Sequence, residues 1–123
     1  MNIKNISLRQ LTLALVAPLA LTACQTEQPV SFAADVKPVL DQFCVDCHQP
    51  GGAGYEATGF SMLTHEGLLK GTNNGAMVIA GDSMGSNLVV LMEGRADPSI
   101  KMPHGSSDKV AQFQIDKIKQ WID

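Results

Sequence analysis

Apolar residues recur at helical spacing in four stretches of this chain, and no alternating run long enough for a strand interrupts them. Phe32, Val36, Val39/Leu40 and Phe43 mark one face of a helix over roughly 32–43. Pro38 would be interior to a helix starting at Phe32. Asp35 as N-cap, with Pro38 inside the first turn, removes that conflict. A short helix follows Thr64, passes through Leu68 and Leu69 and stops at Gly71. Another spans about 84–93, with Leu88, Leu91 and Met92 on one face and Gly94 behind it. The last begins after Ser107 or a few residues later, with Val110, Phe113, Ile118, Trp121 and Ile122 as its inward stripe. Residues 49–59 are glycine-rich and lack the lysine and Ser/Thr of a phosphate loop, so they read as a flexible surface connection. Residues 95–107, broken by Pro98, Pro103 and Gly105, read as an irregular loop. Met77–Ala80 is at best a brief extended piece. The expected fold class is all-α, a small domain of about four helices.

The first 24 residues follow another pattern. Lys4 and Arg9 precede an uncharged apolar run from Leu11 to Thr22, which as a helix would rise only about 18 Å against about 30 Å of hydrocarbon. A basic start, a short apolar centre and small residues at its end describe an export signal. The end of the run, Leu21-Thr22-Ala23-Cys24, resembles the lipobox of bacterial lipoproteins, which implies cleavage before Cys24 and acylation of that residue. The alternative is an ordinary secretory signal followed by a free cysteine. The expected organisation is a lipoprotein signal peptide over 1–23, a lipidated Cys24 with a short linker to residue 31, and one domain over 32–123. Seven linker residues reach at most about 25 Å, so the domain stays near the membrane.

A length of 123 residues leaves room for one domain. Nine Lys and Arg stand against 12 Asp and Glu. Lys4 and Arg9 leave with the signal, so the remainder carries 7 bases against 12 acids, a net charge of −5. With no basic run, nucleic acid is not an expected partner; the charge favours a partner with a basic docking surface. Three cysteines, an odd number, argue against a plain disulfide framework. Six aromatic residues (four Phe, one Tyr, one Trp) make a thin core that gains from a bound group.

Cys44-Val45-Asp46-Cys47-His48 is Cys-x-x-Cys-His, the attachment signature of c-type haem. Two thiols three positions apart at a helix end can both reach the vinyl groups on one porphyrin edge, and the adjacent histidine then sits under the iron. A thioredoxin-like dithiol is an alternative, but it belongs with a βαβ pattern absent here. A structural zinc site needs a fourth ligand. The second axial ligand comes from Met62, Met77, Met84, Met92, Met102, His65 or His104. Met92 and Met77 sit among apolar neighbours and read as core, and His65 as a solvated helix residue. Met102 lies in a loop between Lys101 and Pro103, where packing gives no reason for it, so it is the expected ligand. Arg95, Lys101 and Lys70 are candidate partners for haem propionates, with surface solvation the simpler reading.

The order Phe32, Val36, Pro38-Val39-Leu40, Cys44-x-x-Cys47-His48, Leu68-Leu69-Lys70-Gly71, Gly81-Asp82, Ser86-x-Leu88-Val89, Lys101-Met102-Pro103 and Trp121-Ile122 resembles the planctomycete-type cytochrome c domain over about residues 32–122. The resemblance implies helices packed around one haem c, attached through Cys44 and Cys47 with His48 proximal and Met102 distal to the iron. Where that family carries a Thr or Ser cap before its last helix, Ala111 stands here. The expected function is a monohaem lipoprotein carrying single electrons between periplasmic or membrane redox partners, not an enzyme. Its expected place is a bacterial membrane facing the periplasm; Gln25 after Cys24 fits the outer membrane of a Gram-negative cell. The alternatives are an electron-transfer subunit of a larger oxidoreductase, and a sensor or enzyme in which a small ligand displaces Met102.

Overall fold

The computed structural model describes residues 28–105 and 109–123. The expected signal, Cys24, residues 25–27 and Ser107 lie outside the described residues. Among those described, the chain is helical with no β-strand, and Thr72 and Gly75 form an isolated bridge.

The first apolar stretch folds in two geometries. A π-helical turn, Phe32–Val36, feeds α1, Lys37–Phe43. Asp35 is not the N-cap: the Ser31 hydroxyl accepts from Ala34 N at 3.4 Å, while the Asp35 carboxylate accepts from Ser31 N at 2.8 Å. This reciprocal pair works as a capping box does, and it moves the helix start four residues earlier than the proline argument suggests. Pro38 then falls in the first turn of α1, where a missing N–H costs least.

The glycine-rich segment is not a loose connection. It contains α2, Ala53–Thr58, entered from an extended Gly52 and closed by Gly59 at φ +71°. The Thr58 hydroxyl donates to Gly54 O at 2.6 Å and accepts from Phe60 N at 3.2 Å, stitching the last turn shut. Helix α3, His65–Lys70, starts where Thr64 Oγ1 accepts from Gly67 N at 3.0 Å and ends at Gly71. Helix α4, Asn87–Glu93, begins later than its apolar pattern suggests because Ser86 takes the cap position, and Gly94 ends it. A 3-10 turn at Pro98–Ile100 interrupts the irregular segment after it.

Helix α5 is Gln112–Ile122. Ala111 offers no side-chain cap, and Gln114 compensates by accepting from Ala111 N at 3.0 Å. The expected stripe is corrected at one place: Phe113 is 70% exposed, and Ile115 is buried with Ile118 and Ile122. Residue 113 lies about 200° around the helix from residue 115, so the two cannot share a face.

Val36, Leu40, Phe60, Leu68, Val89 and Ile118 are wholly enclosed. The π-helical turn packs on α1 and α5, and α4 packs on α5. Phe32, His65 and Trp121 cluster, with His65 edge-on to both Phe32 and Trp121 (ring centroids 4.9 and 5.6 Å apart) and Phe32 tilted against Trp121 at 5.4 Å. His65 is therefore exposed, as expected, yet seated in an aromatic cluster. Ser83 N and Oγ each donate to the Asp123 carboxylate at 2.8 Å, and Gly81 N donates to Ile122 O at 2.8 Å. These bonds hold the Asp123 carboxyl below its ordinary range, the Ser83 N–H contributing most and its hydroxyl next. Among the described residues no helix is long and apolar enough to cross a membrane.

Ser86 ties α4 to the loop before it. Its buried hydroxyl accepts from Ile79 N and donates to Asp82 O, both at 2.8 Å. Ser86→Ala strands a partly buried N–H and should lower stability by about 1–3 kcal/mol, read as a lower denaturant midpoint at unchanged slope.

Candidate functional site

Helix α1 does not stop cleanly after Phe43. Cys44 N and Val45 N both donate to Leu40 O at 2.9 Å, and His48 N donates to Cys44 O at 3.0 Å. The chain thus makes one further helical turn through the motif. Residues at i, i+3 and i+4 of such a turn share a face, so Cys44, Cys47 and His48 look the same way while Asp46 points into solvent. Neither Cys44 nor Cys47 is in a disulfide. Burial pushes the Cys44 thiol up to about 12, with repulsion from Cys47 adding to it, so Cys44 is a neutral thiol near pH 7.

The face opens onto a cavity of about 460 Å³, within the common range for ligand pockets of about 300–1,000 Å³. Cys44, Cys47 and His48 form one wall, Phe60 and Met62 continue it, and Leu88, Leu91 and Met92 of α4 form another. Met102, Pro103 and His104 also line it. The lining is mostly apolar, with Thr58 and Thr72 among its few polar members. Met102 is held by its N–H, which donates to Leu91 O at 3.1 Å.

His48 is buried, its ring edge-on to Phe60 with centroids 5.5 Å apart. Its backbone is pinned on both sides, the carbonyl accepting from Met62 N at 2.8 Å. Desolvation lowers its pKa, the Phe60 backbone offsetting this in part, so the imidazole is neutral at pH 7, the form that binds metal. Nδ1 is buried without a hydrogen-bond partner. Buried polar atoms in folded proteins are nearly all paired, so such an orphan marks a residue shaped for something other than packing.

Of the expected axial candidates, Met62, Met77, Met92, Met102 and His104 line the cavity. Met84 is 55% exposed and outside it, and His65 belongs to the aromatic cluster. Met62 and Met92 are 5% exposed and serve the core, whereas Met102 is half-buried on an irregular segment. Sequence reasoning missed Thr58, Phe60, Thr72 and Gly54 as parts of this wall. Thr58 and Gly54 lie in the segment that reads as a surface connection, and nothing in the local pattern signals that Gly54 approaches His48.

A second cleft shares Met92, Met102 and Pro103 with the first and carries Arg95, Lys101 and Lys109. Glu93 lies there too, bonded to Arg95 at 2.6 Å and Lys119 at 3.1 Å. Partial burial works to raise its carboxyl, but those cationic donors outweigh it and hold the group below its ordinary range. Lys70 lines neither cavity, which separates it from Arg95 and Lys101 as a propionate partner.

Cys44, Cys47 and His48 do not converge as a zinc site would: among the described residues no three or more His, Cys, Asp or Glu side chains group as metal ligands. Thiols and imidazole instead line the rim and wall of an apolar slot. The family model of planctomycete cytochrome C matches residues 44–103, from the first thiol to the proline after Met102. This segment belongs to that family. Among curated proteins and among solved structures, nothing matches the chain. The planctomycete-type domain is a c-type cytochrome, and the residues here fit its haem: an apolar slot, a neutral imidazole with an unclaimed nitrogen, and two thiols at one edge.

Covalent attachment is the directly testable part. Extraction of the purified protein with acidified organic solvent should leave the colour on the wild-type chain. It should strip the colour from a Cys44→Ser/Cys47→Ser variant, whose haem is held by ligation and packing alone.

Proposed function

We propose that this chain is a monohaem electron-transfer protein, tethered to a bacterial membrane by Cys24 and exchanging single electrons with periplasmic or membrane partners. The observation that carries the reading is that Cys44, Cys47, His48 and Met102 all line one apolar cavity. Haem bound there supplies the one-electron Fe(III)/Fe(II) couple.

The chain's own residues do the rest. Cys44 and Cys47 would hold the group covalently, each S–H adding across a vinyl double bond. His48 and Met102 would supply a neutral imidazole nitrogen and a neutral thioether as its ligands. With both residues ligating, no open position would be left for a substrate, which favours an electron carrier over a catalyst. The lining of Phe60, Leu88 and Leu91 keeps water from the centre, so little has to reorganise when charge changes. A thioether ligand favours the reduced state relative to a second histidine. The net charge of −5 outside residues 1–23 favours a partner with a basic docking surface, and association that weakens as salt rises.

Two variants test this reading. Wild-type ferric protein should be low-spin, with the weak near-infrared sulfur-to-iron band. Met102→Ala should abolish that band, lower the midpoint potential and let the ferrous form bind carbon monoxide. Survival of the band would assign the ligand to another of the methionines lining the cavity. Separately, Cys24→Ser should block lipidation and release the protein from membranes while its visible spectrum stays unchanged; a wild-type Cys24 found as a free thiol on soluble protein would remove the tether from the proposal.

A further inference from the structure

Gly54 is the second residue of α2, a position where alanine forms helix better than glycine does. The reason for glycine lies across the cavity wall. A Cβ built on Gly54 would fall 2.7 Å from His48 Cε1 and 3.0 Å from both Nδ1 and Nε2. Non-bonded carbons pack at about 3.5–4.0 Å, so one methyl group is already too much. These distances place the missing Cβ over the face of the imidazole, directly above Cε1, so the ring lies with one face against the α2 backbone.

His48 has nowhere to retreat. Phe60, 1% exposed, stands edge-on to the ring. The His48 backbone is bonded at both N–H and carbonyl, to Cys44 O and Met62 N. Helix α2 is equally fixed, because Tyr55 N donates to Cys47 O at 2.9 Å, locking it to the residue before His48. Neighbouring Gly52 has a different role: its Cβ would meet the Cys47 and Asp46 carbonyl oxygens at 2.5 and 2.7 Å, so it serves the backbone crossing and not the ring.

We infer that Gly54 is a positioning residue for the proximal ligand: the side chain it lacks sets the orientation of the His48 imidazole in the cavity, and through it the ligand field at the haem iron. The inference rests on the reading of His48 as an axial ligand. That reading can be checked first, since a wild-type protein without the spectral signature of histidine ligation fails it before any variant is made.

The test compares haem-loaded Gly54→Ala with Ala57→Gly, a change at an exposed position of the same helix. If Gly54 matters only to the helix, Gly54→Ala raises the melting temperature and leaves the iron untouched. A positioning role predicts a shifted midpoint potential and shifted ferric low-spin EPR g values in Gly54→Ala. Ala57→Gly should lose stability with both signatures unchanged. Unaltered potential and g values in Gly54→Ala overturn the inference. Loss of haem loading in Gly54→Ala, with Ala57→Gly loading normally, also overturns it, because a positioning role predicts a bound haem with altered signatures.

Discussion

The constraint on which this structure depends is an apolar slot that its own side chains do not fill. Helices α1, α2 and α4 and the segment 102–104 each contribute a wall to it. Direct packing between helical elements is concentrated elsewhere, where the π-helical turn meets α1 and α5 and α4 meets α5. With six aromatic residues in 123, the chain has little with which to close such a space. The haem proposed for this slot would complete the core and take over much of the burial that stabilises small domains. Several helices are only six or seven residues long, well below the length at which isolated helices persist, and such an occupant would support them.

The part of the site carried by local spacing was legible in the sequence. Cys44, Cys47 and His48 fall on one face of a single helical turn, so their convergence needs no knowledge of the fold. Met102 could be singled out because its loop gives a methionine no packing reason to be there, although four methionines line the cavity and local pattern cannot weigh their geometry. What stayed hidden depended on contact across the chain. The glycines at 51–54 look like slack when read locally, yet α2 forms among them and Gly54 lies against His48. Phe113 belongs to the apolar count of its helix, yet points outward, because the start at Gln112 sets the phase and Ile115 fills the inward place. Asp35 is a good cap by residue type, but Ser31 four residues earlier uses it as the reciprocal acceptor.

The charge follows a similar division between what is summed and what is local. The chain is acidic as a whole, and that total governs how it drifts toward a charged surface from a distance. Beside Met102 and Pro103 the balance is reversed, since Arg95, Lys101 and Lys109 gather in one cleft where Glu93 is already engaged. Long-range attraction and close contact therefore obey different signs on different faces.

The ring cluster of Phe32, His65 and Trp121 has a mechanical consequence. A pull entering the domain at Gln28 reaches Phe32 before it reaches any part of α1. There it meets a side chain wedged between α3 and α5, at the end of α5 that Ser83 and Gly81 clasp. Load entering there would pass to α3, α5 and the loop before α4 ahead of α1 and the turn that carries Cys44 and Cys47. With the tether proposed at Cys24, that order would shield the two thiols from motion of the domain on its anchor.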